Sequence, residues 1–303
     1  MTVFPFYLWG MITAGVLQYI KEQLQQFAGS TVSDCRFMPV GGGSINEAYL
    51  VQVNGTHKYF VKLNKTALFP GLFSTERNSL VLLGAQKLIR VPQVIAVASI
   101  EDQQLVLMEW IEQGGKTTSF WKNFGEQLAG LHRITNHAFG LDIDNYMGFL
   151  PQCNTLTADW NQFFEQCRLA PQVQMARDKQ LLGKKQISHF ERLYSRLAEI
   201  FASEPPALLH GDLWSGNYLC DEQSRPVLID PAAYYGHRSM DMAMTTLFGG
   251  FDEVFYQSYH YHYPLPGNYR LQWEICNLYP LLVHLNLFGE SYLPDILRTI
   301  ERY

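Results

Sequence analysis

The stretch His210-Gly211-Asp212-Leu213-Trp214-Ser215-Gly216-Asn217, followed by Val227-Leu228-Ile229-Asp230, decides how the rest of the chain is read. A polar loop lies between two short apolar pieces, residues 207–209 and 226–229, and carries oxygen-bearing side chains at set intervals. Asp212, Asn217 and Asp230 are spaced 5 and 13 residues apart. Taken singly, each has an ordinary structural reading: a turn cap, a left-handed position, a residue before proline. Together they match the needs of phosphoryl transfer. That chemistry takes a carboxylate close to the attacking hydroxyl, and oxygen ligands that hold Mg2+ against phosphates.

The same spacing separates the catalytic Asp, the Asn and the metal-binding Asp of protein kinases. A site of that kind needs a phosphate-binding half upstream, and the chain offers one. Gly41-Gly42-Gly43-Ser44 stands at a strand–strand turn, where missing Cβ atoms let backbone N–H groups approach phosphate. Alone, a triple glycine more often marks a flexible turn. Lys62 lies in Tyr59-Phe60-Val61-Lys62-Leu63, a strand whose single cation either points to solvent or meets nucleotide phosphates. Glu76, near the head of a helix predicted over residues 72–88, is its candidate partner. Glu109, Trp110, Ile111 and Glu112 follow the last strand of this half and are assigned to adenine by chain order alone.

Around these residues the pattern is strand-rich first and helix-rich afterwards. Val16, Leu17, Ile20, Leu24 and Phe27 have amphipathic helical spacing. Strands are predicted over residues 35–40, 47–53, 58–63, 91–100 and 104–110, with Asn54-Gly55 as a hairpin turn. In the inserted helix Ser74 is the candidate N-cap, and Leu80, Leu83 and Leu88 face inward. Helical patterns cover residues 120–134, 157–177 and 187–202, the last stopped by Pro205-Pro206, and dominate again from Met240. The expected class is α+β: an N-terminal lobe, residues 11–111, with a five-stranded antiparallel sheet and a helix, then a mainly α-helical lobe, residues 112–303. Residues 1–10 read as an extension before a second methionine, Met11.

Of the 303 residues 47% are hydrophobic, enough to give each lobe its own core. The net charge of −5, without long runs of one sign, gives no electrostatic reason to seek nucleic acid or an anionic membrane. Five cysteines, none in a C-x-x-C pair, argue against a disulfide framework or a zinc ribbon and for reduced thiols in the cytoplasm. The first twenty residues carry no charge, but no Lys or Arg precedes the apolar run, and Pro5, Gly10 and Gly15 interrupt it. Neither secretion nor membrane anchoring is expected.

HGDLWSGN, LIDPAAYYGHRSMDMAM and FGGF, with GGGSINEAY, YFVKLN, FSTERNSL, VLMEWI, QLAGLH, FFEQCRL and NLFG, resemble the fructosamine/ketosamine kinases. These are a branch of the aminoglycoside-phosphotransferase-like kinases, and the resemblance spans about residues 11–300. It implies a bilobal protein-kinase-like fold that uses ATP and Mg2+. By resemblance Asp212 is the proton acceptor, Asn217 and Asp230 bind Mg2+, Lys62 pairs with Glu76, and Asp241 braces the catalytic loop. The acceptor would be a ketosamine, free or protein-linked, phosphorylated on its 3-hydroxyl, and the enzyme a monomer.

Other residues keep two readings. Trp214 either stacks on a sugar face or plugs the core. His210 is expected to organise the loop through hydrogen bonds. His284 and His237 are candidates for an acceptor pocket, though a structural histidine is the commoner case. Some relatives carry a cysteine in the glycine-rich loop where this chain has Ser44, so disulfide-forming oxidants are expected to leave activity largely unchanged. A same-fold kinase for an aminoglycoside, choline or homoserine, and a non-catalytic nucleotide-binding protein, are the alternatives.

Overall fold

The Thr13 hydroxyl accepts a hydrogen bond from Val16 N, 3.2 Å, and so starts the first helix, α1 (Ala14–Ala28). Gly29 ends it at φ 63°. In the computed structural model, which describes residues 12–41 and 46–303, α1 is followed by β1 (Cys35–Pro39), β2 (Glu47–Val53) and β3 (His57–Lys65). Then come α2 (Leu72–Ala85), β4 (Val94–Ile100) and β5 (Gln103–Glu109). The five strands form one antiparallel sheet in the order β1-β2-β3-β5-β4. Asn54 and Gly55 take φ of 51° and 75°, the positive values a tight hairpin requires.

Period two on the strands and period 3.6 on the helix converge on one core. Val16, Ile20 and Leu24 pack with Val51, Val53, Val61, Leu63, Leu105 and Leu107, all buried. Each such side chain contributes about 1.5–3 kcal/mol. Phe27 departs from the expected stripe: it is 46% exposed and meets Tyr59 edge-on at 6.3 Å. Ser74 is not an N-cap, because α2 begins two residues earlier. The helix also stops at Ala85, and Lys87, at φ 57°, turns the chain before Leu88.

The chain divides into two compact units, one of Met1–Val81 with Pro92–Glu112, the other of Leu82–Val91 with Gln113–Tyr303. Leu83 and Ile89 join the second because they are buried with Phe120, Phe124 and Leu128. That unit holds α3 (Thr118–Leu131), β6 (Asn145–Met147), β7 (Leu150–Gln152) and α4 (Trp160–Phe163). The helix expected over 157–177 is interrupted: residues Phe164–Leu169 form a π-helical turn before α5 (Ala170–Asp178). The one expected over 187–202 is likewise two pieces, α6 (Lys184–Tyr194) and α7 (Leu197–Ile200). Short strands β8 (Ala207–Leu209), β9 (Tyr218–Cys220), β10 (Pro226–Leu228) and β11 (Tyr234–Gly236) pair as β8·β11 and β9·β10. Helices α8 (Ser239–Leu247), α9 (Glu253–His262), α10 (Tyr269–Cys276), α11 (Leu278–Phe288) and α12 (Leu293–Ile300) complete it. No helix among the described residues is long and apolar enough to cross a membrane.

The start of α8 is fixed by a bidentate ion pair. Arg238 Nε and Nη2 each donate to Glu204 at 2.9 Å, and its guanidinium lies 3.7 Å from the Tyr263 ring centre. Burial alone would raise the Glu204 carboxyl, but the hydrogen bonds from Arg238 hold it below its ordinary value. We predict that Glu204→Gln costs about 3 kcal/mol, since it leaves a buried guanidinium without its counter-charge. A depressed carboxyl stabilises above its unfolded value, about 4.3, and that contribution is lost as pH falls through the folded value. Melting curves of wild type and variant should therefore differ at neutral pH and converge in acid. Parallel curves would refute the assignment.

Candidate active site

The loop after β8 is shaped by what surrounds it. Gly211 sits at φ 85°, and a Cβ there would lie 2.1 Å from Ala232 O, so only glycine fits. Trp214 N donates to Asp212 O at 3.1 Å and Asn217 N to Trp214 O at 3.0 Å, closing a tight turn. Asn217 spends both side-chain N–H bonds on Asp212, at 2.9 Å to its carbonyl and 2.9 Å to its carboxylate. Ile229 N donates to Asn217 O at 3.1 Å, which delivers Asp230 beside the loop at φ 55°.

His210 and Asp241 hold this turn from beneath. Asp241 accepts from His210 N at 2.7 Å and Gly211 N at 2.9 Å. His210 Nδ1 accepts from Asp212 N at 3.2 Å, so the ring proton lies on Nε2, which donates to Ile229 O at 2.9 Å. Burial lowers the His210 pKa, so the ring is neutral and serves as a fixed strut. Burial would raise the Asp241 carboxyl, yet the hydrogen bond from His132 and the backbone donors hold it below its ordinary value.

Asp212 keeps some solvent contact, but burial of its surroundings, then the charge of Asp230, push its carboxyl up to about 7. Two carboxylates that repel each other make a place a divalent cation would relieve. Asn217, with its N–H groups turned to Asp212, has its amide oxygen left to face a metal. Among the described residues no group of three or more His, Cys, Asp and Glu is arranged around a metal. Mg2+ commonly uses only one or two carboxylates beside phosphate oxygens and water. Asn217 and Asp230 therefore fit that ion.

Sequence spacing did not find the second layer. His132, fully buried on the tail of α3, meets Asp241 through Nε2 at 3.3 Å and Tyr259 through Nδ1 at 2.7 Å. Gln152 and Asn145 donate to Ala232 O and Ala233 O, at 3.4 and 3.0 Å, and Tyr279 hydroxyl bonds to Gln152 at 2.8 Å. Those carbonyls lie two and three residues past Asp230, so β6, β7 and α11 help set where it lies. A lone histidine or glutamine in the sequence gives no sign of this.

Trp214 and His284 are joined through Phe248. Trp214 is half-buried and meets Phe248 edge-on at 5.9 Å, and Phe248 lies 5.1 Å from His284. The row continues to Tyr292 and Phe288, 4.9 and 5.5 Å from His284. Phe248 and Phe288 are 41% and 50% exposed, so this face remains open to a ligand. His284 Nδ1 donates to Pro280 O at 2.7 Å, and burial lowers its pKa, which leaves a neutral ring with Nε2 as acceptor. His237 lies elsewhere: it is 1% exposed, packed against Trp160 and Phe201, and accepts from Ser239 N at 3.2 Å. It is a core residue.

In the first unit, Lys62 Nζ and Glu76 Oε1 form an ion pair of 2.8 Å, both side chains nearly buried. Lys62 comes from β3, opposite Ala48 and Val106, and Glu76 from the first turns of α2. Gly41 precedes Gly42, Gly43 and Ser44, which lie outside the described residues, as do residues 1–10. Glu109 closes β5, with its carboxylate bonded by Gln93 N at 3.2 Å. Trp110 lies 6.1 Å from Phe60, Ile111 is buried, and Glu112 pairs with Lys58.

The fold is the α+β, protein-kinase-like one found in small-molecule phosphotransferases. The family model for fructosamine kinase matches residues 16–303. The chain is 40% identical over 269 residues to a protein of Lactiplantibacillus plantarum named "probable ketoamine kinase", covering 88% of this chain and 93% of that one. It is 35% identical over 270 residues to the chloroplastic protein-ribulosamine 3-kinase of Arabidopsis thaliana, covering 87% and 81%. A crystal structure from Haemophilus somnus, of a protein named "putative fructosamine-3-kinase", superposes with a TM-score of 0.86 at 27% identity, covering 98% and 99%. The chain belongs to the fructosamine kinase family, and it is an ATP-dependent kinase.

Asp241→Ala orphans two buried backbone N–H groups, at about 1–3 kcal/mol each. We predict a lower melting temperature, and in the protein that stays folded a loss in kcat greater than any rise in the KM for ATP. An unchanged melting curve would show that the loop does not depend on Asp241.

Proposed function

We propose that the enzyme transfers the γ-phosphoryl group of ATP to the 3-hydroxyl of a ketosamine such as a ribulosamine, erythrulosamine or fructosamine. Family membership supports the substrate class, and one observation carries the chemistry: a single tight turn presents Asp212 with Asn217 bonded to it and Asp230 alongside. Asp212 orients the acceptor hydroxyl and takes its proton as the new O–P bond forms. A carboxyl raised toward neutrality is a better proton acceptor than an ordinary one. Asn217 and Asp230 hold Mg2+, which would neutralise charge on the phosphates. Lys62, steadied by Glu76, adds a positive charge for the nucleotide, and residues 41–44 and 109–112 contribute backbone to it.

The acceptor lies along the aromatic row in this reading. Trp214, two residues past Asp212, offers an indole face to sugar C–H groups, and His284 Nε2 accepts from a sugar hydroxyl. The phosphorylated product sheds its amine more readily than the ketosamine, which makes deglycation the cellular role, with a free or protein-linked ketosamine as substrate and the cytoplasm as the place.

Asp212→Asn should lower turnover by ~10²–10⁴ while folding and ATP binding stay near wild type. ADP release is measured with ribulosyl-, erythrulosyl- and fructosyl-lysine, with aminoglycosides, choline and homoserine as controls. Activity within tenfold of wild type would remove Asp212 as the base, and turnover confined to the controls would overturn the acceptor class. Trp214→Ala should cut kcat/KM for ketosamines by about tenfold, or about 1.4 kcal/mol, with little change for ATP. A lower melting temperature with equal losses for both substrates would assign Trp214 to the core.

A further inference from the structure

Cys153 follows β7 and Cys167 sits in the π-helical turn, 14 residues on, yet their sulfurs are 3.4 Å apart. All five cysteines are free thiols. Cys153 is partly open to solvent, whereas Cys167 is buried at 7% exposure. A disulfide requires a separation of about 2.05 Å, so the two sulfurs have only about 1.4 Å to close between them. The segments are already tied to one another: Arg168, next to Cys167, donates to Cys153 O and, at 2.8 Å, to Asn154 Oδ1. Oxidation would add a bond along a contact that exists.

We propose that Cys153 and Cys167 form an oxidation site at which a peroxide converts the dithiol into a disulfide within one chain. The pair is asymmetric in the way such a site needs. Burial would raise the Cys153 thiol, but its hydrogen bonds with Thr155 and Cys167 hold it below its ordinary value. Burial, and then the neighbouring Cys153, push Cys167 up to about 12. Cys153 is thus the attacking sulfur and Cys167 the resolving one. The Cys153 thiolate attacks a peroxide oxygen, the O–O bond breaks, and a sulfenic acid and hydroxide result. The Cys167 sulfur then attacks the sulfenic sulfur; the S–S bond forms, the S–O bond breaks, and the departing hydroxide takes the Cys167 proton as water. Two thiols lose two electrons and two protons, and one hydrogen peroxide becomes two waters.

The site lies outside the glycine-rich loop, so Ser44 does not remove it, and spacing alone gave no hint that these two thiols meet. Its neighbour Gln152 donates to Asn145 at 2.7 Å and to Ala232 O at 3.4 Å, and Ala232 N donates to His210 O at 3.0 Å. A bond at Cys153 would therefore pin the end of β7 two hydrogen bonds from the loop that carries Asp212, and restrict the unfolded chain as well.

The test uses the full chain, wild type beside Cys153→Ser and Cys167→Ser, treated briefly with hydrogen peroxide, alkylated, digested and read by mass spectrometry. The expected result is a peptide linked through Cys153 and Cys167, two hydrogens lighter, reversed by dithiothreitol and absent from both variants. Cys167→Ser should instead accumulate a sulfenic acid at Cys153 that dimedone traps. Oxidised wild type should melt a few degrees above the reduced form, and neither variant should shift. The wild-type mapping stands even if a variant folds poorly. Sulfinic acid at Cys153 without a link, a link through Cys35, Cys220 or Cys276, a link between two chains, or no reaction would each overturn the proposal.

Discussion

A buried carboxylate that must be satisfied, Asp241, organises the second unit of this protein. Its two oxygens collect His210 N, Gly211 N and His132, and it is 1% exposed. An ion in that position is tolerable only when its lone pairs are filled, so the geometry of three separate segments is coupled. The loop after β8 must present two successive N–H groups, the end of α3 must present a ring nitrogen, and α8 must start where Arg238 and Glu204 anchor it. With those conditions met, Gly211 is forced against Ala232 and the loop can only turn outward, carrying Asp212 with it.

From that constraint the chemistry of the turn follows. Asn217 donates to Asp212 by both side-chain N–H bonds, which keeps the carboxylate oriented. Asp230 is brought up by a strand only three residues long, after which Ile229 N donates to Asn217 O. The charge of Asp230 beside Asp212 is a cost the fold accepts at this turn. The first unit solves a simpler problem: one buried ammonium on a strand, one carboxylate on a helix, paired at 2.8 Å.

Beneath the turn lies a polar layer of Asn145, Gln152, Asn154, Arg168 and Tyr279 that is unusual for a helical core. Arg168 is fully buried, its charge set over Tyr234 and Phe163, with Nη1 donating to carbonyl oxygens and Nη2 to Asn154. The π-helical turn widens the helix where this residue enters and buries Phe164, Cys167, Arg168 and Leu169 together. The same widening brings Cys167 to Cys153. Support for the active loop and the thiol pair thus share one local irregularity.

Much of this was written in the chain itself. Alternation along β2 and β3, Asn-Gly at the hairpin and the stripe Val16, Ile20, Leu24 determine the sheet and the helix on it, because period and turn chemistry are local properties. That Asp212, Asn217 and Asp230 gather at one turn was legible because one loop and one short strand fix their spacing, and that Lys62 meets Glu76 because element order restricts the choice. His132, Gln152 and Arg168 were not, and neither was the end of Phe27's stripe or the break at Phe164–Leu169. Their roles depend on partners up to 127 residues away, and no local pattern encodes which distant backbone groups a buried polar side chain must satisfy. His237 and His284 look alike in sequence. Only the packed structure sends one into the core and leaves the other on an aromatic face, because burial is decided by the neighbours that folding brings.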